Sequence, residues 1–339
     1  MAKREMIINM KMNKKIDFFI IFATLIFFSC YFTKNTDEDD LPEMPKREFP
    51  FEISDENYWR NIATATRIFI ANTSDLIIEN AIPNEYYEYN IQIIKTLRGI
   101  KQEKIRFKIY MKEENCNYIN SLNDSKKVIL FLTNSYDGYG YNNYFSGYFI
   151  EKAVIKYTSE IENIINKEIA LQNDIINNKL YENFDIDSKL YQKVSRYITN
   201  TTNSSLEHKS FEQLEELGAK GVPYIILLLD NFEKLPIGEI SLENKSENAF
   251  EYYRHYSPEL VIDALDAILN QITGENFGTI VNGEATQEMR ISVLNGWRIY
   301  LYKLIHNNQI NKLTKKQNNM PKKEPINVRT GRSGSFAFV

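Results

Sequence analysis

Apolar positions change their spacing several times along this chain. Residues 18–28 form one apolar run broken only by Thr24. From 58 to 158 the pattern is that of strands. Arg67-Ile68-Phe69-Ile70 opens an apolar stretch that continues through Leu76-Ile77-Ile78, and Pro83-Asn84 marks a turn. Tyr87 to Ile94 alternates apolar and polar with period two, and so does Ile105 to Ile109, as half-buried strands do. Gly99 punctuates the first of these. Val128-Ile129-Leu130-Phe131-Leu132 is continuous, the pattern of a strand covered on both faces. Asp137-Gly138 and Gly140 supply a hairpin turn, and Tyr144 to Tyr157 reads as strand with an interruption at Gly147.

The period then becomes helical. Ile161, Ile164, Ile165, Ile169, Ile175 and Ile176 recur at helical spacing, and Ser159-x-x-Glu162 has the form of a capping box. Asn200 to Ser205 is a polar loop. Ser210-x-x-Gln213 predicts a second capping box, opening a short helix that ends near Gly218. Gly221-Val222-Pro223 places a proline at a helix N-terminus before Tyr224 to Leu229, and a loop of about 25 residues follows. Ser257-Pro258-Glu259 predicts an N-cap, a first-turn proline and an acidic first turn. The next helix carries Leu260, Val261, Ala264, Leu265, Ile268, Leu269 and Ile272 on one face and ends at Gly274. A last helix spans about Thr286 to His306 and holds Trp297.

These patterns predict an α+β protein: a small five-stranded antiparallel barrel closed by a helix, followed by an all-α domain. The boundaries are residues 1–29 as a leader, 30–57 as an acidic, proline-containing tether, 58–178 as the barrel, 179–310 as the helical domain and 311–339 as a disordered basic tail. Met12-Asn13-Lys14-Lys15 is a compact basic start before the apolar run, which makes Met12 a better initiator than Met1. Eleven apolar residues extend only about 16 Å as a helix, too short for a hydrocarbon core of about 30 Å. The run ends at Ser29-Cys30. Asp37 to Asp40 is a solvated acidic run, and Pro42, Pro45 and Pro50 deny the tether regular structure.

Three resemblances follow from these residues. Phe27-Phe28-Ser29-Cys30 resembles the lipobox of bacterial lipoproteins, with Phe27 in the place of the usual Leu. The resemblance implies cleavage before Cys30, acylation of that cysteine and anchoring to a membrane of the cell envelope. The acidic run, and Tyr31 rather than Asp after the cysteine, lean towards the outer membrane. Ser74-Asp75-Leu76-Ile77, then Ile94-Lys95-Thr96-Leu97-Arg98-Gly99, then Val128-Ile129-Leu130-Phe131 resemble the netrin/tissue-inhibitor-of-metalloproteinase (NTR-like) form of the OB barrel. A generic antiparallel sheet or sandwich explains the same strands. Leu217-Gly218-Ala219-Lys220-Gly221-Val222-Pro223 resembles the turn between paired helices of HEAT-like repeats. Ile272 to Gly278 followed by Gly296-Trp297-Arg298 resembles a segment of bacterial HEAT-like helical proteins. An unrelated small helical bundle is the alternative, since no clean repeat period is present.

Composition narrows the function classes. Of 339 residues, 43% are hydrophobic and 25% charged, which is ordinary for globular domains. With two cysteines, and Cys30 acylated, Cys116 has no partner in the chain and reads as a buried filler. The formal charge is −4; the leader carries +3 and the tail +6, which leaves −13 on residues 30–310. Nucleic-acid binding by the barrel needs a basic groove, so it is set aside, although the tail has the charge to touch anionic lipid.

No catalytic residue, metal site or cofactor is assigned. His208, His255 and His306 are far apart and read as surface or partly buried helix residues. Asp263 and Asp266, three apart on one helix, read as a solvated face. Asp185 and Asp187 sit in a loop without the calcium-loop pattern. The unusual feature is an aromatic hairpin: Tyr136, Tyr139, Tyr141, Tyr144 and Tyr148, with Phe145 and Phe149. Tyrosines give rigid, amphipathic contact area at low entropic cost, as protein- and glycan-binding surfaces do. Strand packing with scattered exposed tyrosines is the alternative account of them. The expected function is a non-catalytic envelope lipoprotein that binds a protein or glycan, with no nucleic-acid partner. The alternative is an envelope hydrolase using carboxylates that no motif marks.

Overall fold

The computed structural model describes residues 51, 53–54, 56–82, 86–110, 126–134, 145–146, 153–236, 238–243, 253–278 and 285–307. The chain divides into two compact units. One is built on residues 57–169 with 241–254; the other on 170–240 and 255–307, with Phe51 and Ile53.

The first unit opens with a short helix, α1 (Trp59–Thr64), which the sequence pattern did not reveal. Strands β1 (Arg67–Ile82), β2 (Tyr86–Arg98), β3 (Lys104–Tyr110), β4 (Lys127–Asn134), β5 (Phe145–Ser146) and β6 (Val154–Lys156) follow. Helix α2 (Ser159–Asn177) comes next. The sheet runs β1-β2-β3-β5-β4-β6, and β4 also pairs with β1, so the strand order returns on itself. All pairings are antiparallel except β3–β5. The expected barrel is met only in part. The link between β3 and β4 is the two-residue β5, so the sheet is not a fully closed wall.

Burial follows the sequence periods. In β2, Tyr89, Ile91 and Ile93 are buried while Gln92 and Ile94 are exposed; in β3, Ile105 and Phe107 are buried and Arg106 is exposed. Tyr89 stacks on its cross-strand partner Phe107 with ring centroids 5.4 Å apart. Val128 to Leu132 of β4 are buried at every position. Partly buried Tyr58, Ile161 and Ile169 pack against this core, and Tyr58 lies over Phe131. The N-cap of α2 is Thr158, one residue earlier than expected: its hydroxyl accepts from the Ile161 N–H. Glu162 does not complete a capping box. It takes the Lys95 ammonium at 2.6 Å and the Tyr157 hydroxyl at 2.9 Å instead.

The second unit holds α3 (Ser188–Asn200), α4 (Glu207–Glu216), α5 (Val222–Leu227), α6 (Val261–Thr273) and α7 (Gln287–His306). The region from 179 to 310 is not purely helical, because β7 (Ile240–Glu243) pairs with β8 (Tyr253–Tyr256) inside the expected long loop. Helix α4 starts three residues before Ser210, which is buried within it, so no capping box stands there. Helix α6 starts at Val261 rather than after Ser257. Its N-terminal amides at Glu259 and Leu260 are taken by the Asp263 carboxylate at 3.1 and 3.0 Å. Gly274 ends α6 in the left-handed conformation, φ 74°, as expected. Helix α7 starts at the expected Thr286, whose hydroxyl accepts from the Met289 N–H.

Gly296 of α7 sits against Phe277. A Cβ there would meet the Phe277 Cβ at 2.5 Å, and Phe277 is wedged edge-on against Trp297 with centroids 5.0 Å apart. Gly296→Ala is expected to destabilise the second unit by about 1–3 kcal/mol through overpacking. Urea unfolding curves would check this; an unchanged midpoint would mean that the ring moves aside freely.

Candidate functional site

The residues singled out from sequence as lipidated or binding, Cys30 and Tyr136, Tyr139, Tyr141, Tyr144 and Tyr148, lie outside the described residues, as do Cys116 and the basic tail. What the described residues offer is a small open cleft of about 210 Å³ in the second unit, lined by Glu182, Ile186, Tyr191 and Leu227.

The cleft wall is the connection between α2 and α3, and three contacts fix it. Asp187 caps α3, its Oδ1 accepting from the Lys189 and Leu190 amides at 2.9 and 3.2 Å. The Asp187 N–H donates to the Tyr224 hydroxyl of α5 at 3.2 Å. Beside Glu182, the buried Tyr181 ring carries the Arg298 guanidinium of α7 at 5.1 Å, and Arg298 also binds Asp230 at 3.0 Å. Burial pushes the Tyr181 hydroxyl above its ordinary pKa. The lining combines one carboxylate, one phenol and two aliphatic side chains, and the Glu182 carboxylate faces the Lys179 ammonium at 3.8 Å. No group of three or more His, Cys, Asp or Glu that could hold a metal ion occurs among the described residues. His208 and His306 are exposed, and His306 stacks on Tyr302.

The expectation for Asp263 and Asp266 is overturned. Both carboxylates are buried, because α6 is buried along twelve of its thirteen residues and has no solvated face. Asp263 receives the Arg290 guanidinium through two bonds, Nε to Oδ1 at 2.8 Å and Nη2 to Oδ2 at 2.9 Å, while Glu259 approaches the same guanidinium at 3.4 Å. This bonding to Asp263 raises the Arg290 pKa. Asp266 accepts the Trp297 indole N–H at 2.6 Å. Arg290 and Trp297 are seven apart on α7, two turns on one face, and so meet two carboxylates three apart on α6. The signal was present in sequence: an acid within an otherwise apolar helix faces a partner, not water.

Desolvation drives the Asp266 carboxyl up to about 7, and the nearby Asp263 charge adds to this, while the Trp297 bond opposes it. A raised carboxyl serves acid–base chemistry when it faces a cleft. This one faces an indole, and other residues line the cleft described above. Because the folded pKa lies above the ordinary carboxylate value of 3.8, the folded state is favoured by protonation. The associated stability is complete below about pH 4, declines as pH rises towards 7, and is constant above. The full difference is on the order of 4 kcal/mol. Asp266→Asn keeps an oxygen for Trp297 and removes the charge. It is expected to match the unaltered protein near pH 4 and to be progressively more stable up to pH 7. Urea midpoints measured across that range would check this, and parallel curves would contradict it.

No family model matches the chain, and neither the curated proteins nor the solved structures contain a match.

Proposed function

We propose that this protein is a lipid-anchored binding module of a bacterial cell envelope. The observation that carries the reading is the segment from Met12 to Cys30: basic residues, eleven mostly apolar positions, then Ser29-Cys30. Each methylene of an acyl chain buried in a bilayer contributes about 0.8 kcal/mol, so two or more chains on Cys30 hold the protein durably. Among the described residues no helix is long and apolar enough to cross a membrane. The body's charge of −13, derived above, speaks against a nucleic-acid partner, and the reading takes a protein or glycan instead. For the first unit, the strand order β1-β2-β3-β5-β4 with β4 returning to β1 supports a partly open, OB-like barrel.

Two surfaces are available to a partner. In this reading one is the tyrosine-rich sequence from Tyr136 to Tyr148, and the other is the cleft lined by Glu182, Ile186, Tyr191 and Leu227. Fatty-acid labelling is expected to mark the protein at Cys30, and Cys30→Ala to release it from the membrane fraction; a Cys30→Ala protein that stays firmly bound sinks the anchoring reading. For the binding surfaces, pull-downs from envelope extract should lose partners when Tyr139, Tyr141 and Tyr144 all become Ala. Ile186→Lys tests the cleft separately. Partners unchanged in the tyrosine variant remove the hairpin, and partners unchanged in Ile186→Lys remove the cleft.

A further inference from the structure

The turn between β2 and β3 combines exposed aliphatic side chains with positive charge. Of the large hydrophobic residues in the first unit, Ile100 and Ile94 are the exposed ones among the described residues, at 66% and 49%. Both lie at the same end of one hairpin. Ile94 follows buried Ile93 and faces outward by alternation, and a β-bulge, in which β1 pairs Ile70 with Lys95 and Ala71 with Ile93, leaves it without an opposite residue and keeps the next residue, Lys95, outside as well. Ile100 is put there by Gly99, whose φ is 91° and where a Cβ would meet the Arg67 side chain at 2.3 Å and the Thr66 carbonyl at 3.0 Å. The Ile93 N–H closes the loop on the Glu103 carbonyl at 2.8 Å. The backbone therefore presents both isoleucines at a defined place.

The charge of this segment opposes that of the body. Residues 94–104 carry Lys95, Arg98, Lys101 and Lys104 against Glu103, a net of +3, within a body of −13. Lys101 and Lys104 are exposed, and Lys95 spends its charge on Glu162. Arg98 is half-buried and donates to the Ile62 carbonyl at the end of α1, with burial lowering its pKa to about 10. An aliphatic tip with lysines behind it matches the interface of an anionic bilayer, where isoleucine enters the acyl boundary and lysine meets the headgroups.

We propose that the β2–β3 turn, with Ile94 and Ile100 as its apolar tip and Lys101 and Lys104 as its charged collar, docks on the anionic lipid surface to which the chain is anchored. The proposal rests on the anchoring reading for its setting. The contact orients the molecule; two isoleucines and two lysines are too few to hold it alone.

The test uses the chain from position 30 onward with Cys30→Ala, which separates docking from acylation. Its partition onto phosphatidylcholine vesicles, with and without phosphatidylglycerol, is compared with that of the same chain carrying Ile100→Ser and Lys101→Ser. The unaltered turn is expected to favour the anionic vesicles, and the double variant to bind them at least about tenfold more weakly, as loss of one buried isoleucine and one headgroup contact implies. Ile291→Ser, which removes an exposed isoleucine of α7, should leave partition unchanged. Both turn residues are exposed, so the double variant keeps the fold, as circular dichroism would verify. Equal partition of the two chains assigns any binding to the basic tail they share and overturns the proposal, as does an absence of binding or of preference for anionic vesicles. Failure of Cys30 labelling would show separately and leaves this measurement intact.

Discussion

A buried charge must be matched inside the protein, and in the second unit that constraint decides how two helices meet. Asp263 and Asp266 lie where α6 has no water to face. An isolated carboxylate there would be far too costly, so α7 has to bring Arg290 to one and Trp297 to the other. Sliding α7 along α6 by one turn would break both contacts together and strand a guanidinium in the core. The pair therefore selects one register from the several that the apolar residues alone would accept. The two matches differ in kind. Asp263 meets a full positive charge through two bonds and also holds the N-terminal amides of its own helix. Asp266 meets only an N–H dipole, and desolvation raises its carboxyl to about 7 against that bond.

The same logic reaches the cleft through α7. Arg298 follows Trp297 directly, so the helix that buries the indole also delivers a guanidinium to Tyr181 and Asp230. Tyr181 precedes Glu182, and Leu227 ends α5, which Tyr224 ties to Asp187. The cleft is thus walled by residues whose neighbours are held from beneath. Its shape depends on packing and not on the short helix and loop that display it.

How far the chain could be read from its sequence depended on which forces were local. Alternation in β2 and β3, the apolar run of β4, Pro223, Gly274 and Thr286 are local features, and each element stands where they place it. Expectations failed where a tertiary contact outbid a local motif. Glu162 left its capping role for Lys95 and Tyr157, and Ser210 was covered because α4 began earlier. Helix α1 was missed because six residues carry too little periodicity. Strands β7 and β8 were missed because four-residue strands depend on each other across a long connection. The largest error, reading Asp263 and Asp266 as solvated, came from judging charge before context: the acids were weighed without asking what else α6 showed to water.

The β-bulge at Ile94 carries this point into the first unit. Strict alternation would have left the side chain after Ile93 on the solvent face and returned the next one inward. The extra residue instead keeps both Ile94 and Lys95 outside, and Lys95 uses that position to bind Glu162 in the first turn of α2. An ion pair with lysine 55% exposed contributes little stability, so the salt bridge alone is a weak reason for the bulge. The bulge also costs a ladder position, and it sits beside an isoleucine that alternation already places on the solvent face. With Lys95 held on the same outer surface as Ile94, a contact outside the protein would cover the isoleucine, and the lysines around Gly99 favour one with negative charge.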